Sequence, residues 1–87
     1  MMRSYTFESW ARTTGGLSDE SAKSYVSYLA SVEHCNGCDL DTDWQASRLR
    51  STRTKLENDQ SLNENTRRNR LSALTKYENF CSAESER

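Results

Sequence analysis

The sequence contains no proline and only three glycines among 87 residues. This scarcity of turn residues argues against a multi-stranded sheet, which needs many tight turns. Long apolar runs are also missing, since no stretch approaches the ~18 apolar residues that a membrane-spanning helix requires. The first ten residues lack the apolar core of a secretory signal. We therefore expect an all-helical, soluble and cytoplasmic protein that has no membrane partner.

Residues that bind metals or carry out redox chemistry are few. The chain has one histidine, His34, and three cysteines, Cys35, Cys38 and Cys81. An odd number does not suggest a secreted disulfide framework, so reduced thiols are expected. The C-x-x-C spacing leaves open a zinc site or a functional disulfide, but the second C-x-x-C half of a zinc module is missing. We expect no metal and no cofactor.

No complete catalytic set is recognisable, because the sequence lacks a Ser/His/Asp combination, a P-loop and a glycine-rich phosphate loop. The alternating carboxylates Asp39, Asp41 and Asp43 lack the glycine and the terminal glutamate of a calcium-binding hand. A helix-capping acidic loop is the better interpretation. The chain is therefore expected to bind something and not to be an enzyme by itself.

Apolar residues at helical spacing predict one domain of four to five helices, ordered over about residues 5–82. The first helix carries Phe7, Trp10 and Ala11, with Ser4 or Thr6 as its N-cap. The second begins after Ser18, follows an apolar stripe over residues 22–32, and ends at Asn36-Gly37.

The second half of the chain predicts a third and a fourth helix. The third is expected to begin near Asp41 and Thr42. Four of its residues are expected to face the core: Trp44, Leu49, Thr52 and Leu56. The spacing from residue 44 to residue 49 does not fit the helical repeat well. The fourth is expected to begin at Asn63 or Asn65, to run through Cys81, and to fray in the final SAESER.

Charge is unevenly distributed along the chain although the net charge is -1. Residues 1–47 hold three basic and seven acidic side chains, whereas residues 48–76 hold eight basic and three acidic ones. Arg67, Arg68 and Arg70 fall in the first turns of the last helix, beside the hydrogen-bonding side chains of Asn65, Thr66 and Asn69. Arginine and a helix N-terminus both favour phosphate, so this segment predicts DNA binding. The alternative is an ordinary solvated helix face, with Arg70 covering the core.

Three motifs in order carry a resemblance to a known family: FESW, then LSDESAKSYVSYLASV, and finally NENTRRNRLSALTKYENFC. Together they span roughly Phe7 to Cys81. This order resembles the N-terminal core-binding, SAM-like domain of phage-integrase-type tyrosine recombinases. The resemblance implies an all-α, SAM-like bundle that helps to clamp double-stranded DNA during integration and recombination. In that family a separate C-terminal domain cleaves the strands, and its catalytic residues have no matching positions here.

The resemblance also implies which residues face the duplex. On the second helix these are Lys23 and Ser24, together with Ser21, and on the last helix they are Asn65, Thr66, Arg67, Arg68 and Asn69. A second hypothesis, from another class, is a small protein-interaction or inhibitor domain encoded by a phage or mobile element. Acidic residues 33–43 and the aromatic side chains of Trp10, Tyr28 and Trp44 would then contact a protein partner.

Overall fold

The computed structural model of the chain describes residues 2–85. This part of the chain forms five helices and no strand: α1 (Ser4–Thr13), α2 (Asp19–Asn36), α3 (Leu40–Ser47), α4 (Arg50–Glu57) and α5 (Glu64–Ser85). The predicted all-α bundle of four to five helices is confirmed. Over residues 2–85, no helix has both the length and the apolar character needed to cross a membrane.

The longest helix, α5, lies at the centre of the bundle and packs against α1, α2 and α4. Its buried side chains recur at helical spacing, which puts them on one face: Ala73, Leu74, Tyr77, Phe80 and Cys81. Phe7 of α1 packs onto this face, with ring centroids 5.2 Å from Tyr77 and 5.6 Å from Phe80. Such aromatic pairs contribute about 0.5–1.5 kcal/mol each beyond the burial of their area.

Local sequence sets the ends of α2 as predicted. The Oγ atom of Ser18 accepts a hydrogen bond from the backbone N–H of Ser21 at 3.2 Å, and Asp19 and Glu20 occupy the positive end of the helix. At the other end Gly37 adopts a left-handed conformation with φ of 60°, which glycine tolerates without steric cost.

The predicted side-chain cap of α1 is wrong. Ser4 is the first helical residue, Thr6 lies inside the helix, and the N-cap Arg3 makes no side-chain capping hydrogen bond. Tertiary contacts fix this helix start instead, since the backbone N–H of Arg3 donates to the Tyr77 hydroxyl at 3.1 Å. The Arg3 guanidinium also donates to Asp41 at 3.2 and 3.3 Å.

The predicted third helix is two helices, α3 and α4, separated by Arg48 and Leu49. Both residues are left-handed, with φ of 57° and 66°. A continuous helix would place Trp44 and Leu49 about 140° apart around its axis. The break allows both to enter the core, where Leu49 is fully buried and Trp44 is 8% exposed.

The caps of the later helices differ partly from those predicted. Asp39, and not Asp41 or Thr42, caps α3 by accepting the backbone N–H groups of those two residues at 3.0 and 3.3 Å. Of the two candidates for α5, Asn63 is the cap, because its Oδ1 atom accepts the backbone N–H of Thr66 at 2.8 Å. Helix α5 continues to Ser85, and residues 86–87, where fraying is also expected, lie outside the described part.

Candidate nucleic-acid interface

Helix α4 runs antiparallel to the first half of α5, which brings two basic segments of the sequence side by side. Arg53 of α4 donates to Thr75 Oγ1 and Glu78 Oε2 of α5, each at 3.3 Å. Further along α4, the carbonyl of Leu56 accepts a hydrogen bond from Arg67. Later residues of α4 therefore face earlier residues of α5. Not all basic residues of this segment share that side, because Arg70 contacts Cys35 of α2 and Lys76 donates to the carbonyl of Gly15.

Arg67, a predicted DNA contact, is engaged inside the protein. Its Nε atom donates to the carbonyl of Leu56 at 3.3 Å, and its Nη2 atom donates to the carbonyls of Asp59 and Leu62 at 2.5 and 3.2 Å. These bonds tie Arg67 to carbonyl groups at the end of α4 and in the loop that follows, where Leu56 and Asp59 also accept backbone N–H groups at 3.3 and 3.5 Å. Few Arg67 donors are left for a phosphate.

Arg68 is placed quite differently. Its side chain is 71% exposed, and its ion pair with Glu64 is long, at 4.0 Å. An exposed pair of this kind holds the side chain only weakly. Asn65 is also exposed, whereas Thr66 and Asn69 are half-buried. Of the predicted last-helix residues, Arg68 and Asn65 are thus the most accessible.

A row of exposed polar residues on α5, which we call the outer stripe, is a feature that the sequence analysis missed. It runs along the helix face opposite the core and consists of Arg68, Ser72, Thr75, Asn79 and Ser82. Steps of four and three residues keep these side chains in line on one helix face. The row contains no carboxylate and no apolar side chain. The alternation of Arg, Ser, Thr and Asn at heptad spacing is the signal that could have revealed it.

The predicted contacts on the second helix lie apart from this surface. Lys23 and Ser24 are exposed in the first turns of α2, whereas Arg70, near the start of α5, contacts Cys35 in the last turn of α2, with Nη1 3.7 Å from Sγ. Twelve residues of helix separate Lys23 from Cys35, which corresponds to about 18 Å. Lys23 also follows the acidic first turn of α2. The predicted DNA contacts on α2 and those on α5 are therefore not brought together.

Of the aromatic side chains expected to contact a protein partner, Trp44 is buried, and Trp10 and Tyr28 are half-buried against the core. Trp44 is only 8% exposed, so its prediction as a surface anchor is wrong. Trp10 stacks on Phe7 with centroids 6.3 Å apart, and Tyr28 packs on Tyr25 at 6.2 Å. The exposed aromatic residue is instead Tyr5 of α1, at 88%.

The carboxylates expected to form a helix-capping acidic loop lie at the start of α3, where Asp39 is the N-cap and Asp41 and Asp43 are helical, and they hold helices in place. Asp43 accepts from the Thr52 backbone N–H at 3.1 Å and from the Thr52 hydroxyl at 2.6 Å through Oδ2, while Ser47 donates to its Oδ1 at 2.8 Å. Burial disfavours the charged carboxylate, but these hydrogen bonds outweigh it and lower the pKa of Asp43. Asp41 accepts the Tyr77 hydroxyl at 2.5 Å, and burial together with this bond raises the pKa of Tyr77.

The residues considered for zinc are dispersed. Cys81 is buried, with its Sγ atom 3.6 Å from Arg3 Nη2, whereas His34 and Cys35 are exposed. Cys38 lies against Thr52, with Sγ 3.8 Å from Oγ1. Across residues 2–85, no three His, Cys, Asp or Glu side chains group closely enough to hold a metal ion.

Comparison of the chain with family models, with curated proteins and with solved structures finds no match.

Proposed function

We propose that this chain is a helical module that binds double-stranded DNA, mainly through phosphates, using the outer stripe of α5 and the adjoining edge of α4. The observation that carries the proposal is the outer stripe itself, an exposed row of hydrogen-bonding side chains that begins with an accessible arginine. This role agrees with the resemblance to the core-binding domains of tyrosine recombinases.

The composition of the outer stripe suits a phosphate backbone. Hydroxyl and amide side chains make a large share of protein contacts to phosphate oxygens, and such contacts position a duplex without reading its sequence. Fourteen residue steps separate Arg68 from Ser82, which corresponds to about 21 Å of helix. Arg50 and Arg53 of α4 flank it, and Arg53 is paired with Glu78 of α5. Positive charge on this side supplies the sequence-independent attraction that phosphate binding needs.

The proposal assigns different roles to the predicted residues. Arg68 contacts phosphate, Asn65 extends the same exposed side, and Arg67 supports the loop before α5. Lys23 and Ser24 are not part of the proposed surface, because they lie at the far end of α2 beside Asp19 and Glu20.

A binding assay with charge-matched variants tests this assignment. Fluorescence anisotropy with a random-sequence duplex at low salt should show that Arg68→Ala binds about tenfold more weakly, since one hydrogen bond to a charged group contributes about 1.5 kcal/mol or more. The control Lys23→Ala removes the same charge from the first turns of α2, away from the outer stripe, and should change affinity less than about twofold. Equal losses in the two variants, or no binding by the wild-type chain, would refute the proposed surface.

A protein partner is the second candidate, and the exposure of Tyr5 favours it. An aromatic side chain with 88% of its surface in solvent is a common anchor of protein interfaces. This alternative predicts that the wild-type chain is indifferent to duplex DNA at low salt. It also predicts a specific protein partner that still binds Arg68→Ala but no longer binds Tyr5→Ala.

A further inference from the structure

A groove of about 550 Å³ lies where α3 meets α4, beside the end of α5. It is lined by one aromatic residue, three arginines, one glutamate and two serines: Trp44, Arg48, Arg50, Arg53, Glu78, Ser82 and Ser85. No local sequence pattern reveals this combination, because the lining residues come from three separate helices and from the junction of α3 and α4.

Two of the three arginines have uncommitted guanidinium groups. Arg53 is paired with Glu78 at 3.3 Å, so these two charges compensate each other. Within residues 2–85, the side chains of Arg48 and Arg50 form no hydrogen bond and no ion pair. Glu84 and Asp41 line an adjoining groove that also includes Arg48, but they do not line this one. The lining of this groove carries an excess of positive charge, and Arg48 and Arg50 are both exposed.

Arg48 is held in place before any ligand arrives. Its Cζ atom lies over the Trp44 ring, 4.7 Å from the ring centroid, in a cation–π contact. This contact uses none of the hydrogen-bond donors of the guanidinium for a protein acceptor, so its N–H groups are available to a ligand. The left-handed backbone of Arg48, with φ of 57°, lies in the junction that packs Trp44 and Leu49 into the core. Such preorganisation reduces the entropy lost on binding.

We propose that this groove is an oxyanion site that binds a phosphoryl group. Arg48 and Arg50 would donate charge-assisted hydrogen bonds to the phosphoryl oxygens, and the hydroxyls of Ser82 and Ser85 lie where they can complete the set. Two planar, permanently charged donors match a group with several charged oxygens. The site goes beyond the proposed DNA-binding stripe, because its geometry suits a phosphate of the DNA backbone and a small phosphate compound alike.

Nuclear magnetic resonance titrations of the full chain test the site, with inorganic pyrophosphate and a random-sequence duplex as separate probes. The signals to follow are the Trp44 indole N–H and the Nε–H groups of Arg48 and Arg50, with Trp10→Phe used to assign the two tryptophans. We expect saturable shifts of these signals and an affinity about tenfold lower for Arg48→Gly and for Arg50→Ala, since each removes a charged donor. Arg48→Gly should still fold, because glycine adopts the left-handed conformation without strain, which compensates for the lost contact with Trp44.

The titrations decide whether the groove binds a phosphoryl group and from which kind of ligand. Shifts with pyrophosphate alone identify a small phosphate compound as the ligand class, and shifts with duplex alone identify a backbone phosphate. Absence of shifts with both probes, equal shifts with sodium chloride at the same ionic strength, or unchanged affinity in Arg48→Gly would each overturn the site. Arg68→Ala should leave pyrophosphate binding unchanged, so failure of the outer stripe and failure of this groove can be told apart.

Discussion

Arg67 and Arg68 are neighbours in the sequence, yet their side chains meet different surroundings. Helical geometry turns the two residues about 100° apart, which directs Arg67 toward the end of α4 and Arg68 toward solvent. The sequence could identify both as basic residues at a helix start. The sequence could not show which of the two is hydrogen-bonded within the protein, because the carbonyls that accept from Arg67 belong to the preceding helix and loop.

The two arginines should therefore differ in their effect on stability. Arg67→Ala removes three hydrogen bonds made by a charged donor and should lower the free energy of unfolding by about 2 kcal/mol. Arg68→Ala is the matched control, and its effect should stay within about 0.5 kcal/mol because the side chain is exposed. Urea denaturation followed by circular dichroism measures both. Equal stabilities of the two variants would contradict the structural role of Arg67.

The three cysteines should react with an alkylating reagent in a definite order. Cys35 is exposed and reacts first, since attack requires access to the sulfur. Burial raises the pKa of Cys38, and it raises the pKa of Cys81 to about 11, which leaves little thiolate at neutral pH. Mass spectrometry after timed alkylation of the folded chain measures the order, and labelling in denaturant is the control. Early modification of Cys81 in the folded chain would show that the packing of α5 is different.

At the scale of elements, the α3–α4 junction shows what a sequence pattern does and does not reveal. The five-residue step from Trp44 to Leu49 marks a defect in helical spacing, and the structure resolves it by breaking the helix. The left-handed conformations of Arg48 and Leu49 could not be predicted, because both residues ordinarily avoid them. Burial of Leu49 and the contact of Arg48 with Trp44 offset the cost.

Asp43 of α3 serves α4 as a cap, since the N-cap residue Leu49 has no side-chain acceptor. Asp43→Ala should lower the free energy of unfolding by about 1–2 kcal/mol, as for the loss of other helix caps. Hydrogen bonding lowers the pKa of the folded carboxylate, so its contribution is complete above the unfolded pKa of about 3.9 and disappears as pH falls through the lower, folded value.

Thermal or urea denaturation between neutral pH and about pH 2 checks this behaviour. The stability difference between the wild type and Asp43→Ala should be constant above about pH 5 and should shrink below about pH 4. Asp43→Asn keeps one oxygen acceptor but does not titrate, so it should be intermediate in stability and should lack the acid-dependent loss. A difference that stays constant to low pH would mean that the ionised carboxylate is not the cap.

At the scale of the whole molecule, the sequence already separates an acidic first half from a basic second half. The periodicity of α2 and α5 also predicts their core faces, and Ser18 and Asn63 cap their helices as expected. The placement of Arg53 beside the outer stripe depends on the antiparallel packing of α4 against α5, which is a tertiary contact without a local signal. Lys23 falls outside this surface for the same reason.

The whole molecule is thus expected to bind with its basic side while its acidic helix start on α2 faces away from the duplex. In that orientation Arg68 neutralises a phosphate and releases a counterion, whereas Lys23 does not.

The most direct test of phosphate-directed binding by the outer stripe is the salt dependence of binding to a random-sequence duplex. It is plotted as the logarithm of the association constant against the logarithm of salt concentration. The account predicts that Arg68→Ala reduces the magnitude of the slope by about 0.9 relative to the wild type, the value for one lost phosphate contact, while Lys23→Ala leaves it unchanged. The same slope for the wild type and Arg68→Ala, or a binding constant independent of salt, would contradict phosphate-directed binding by the outer stripe.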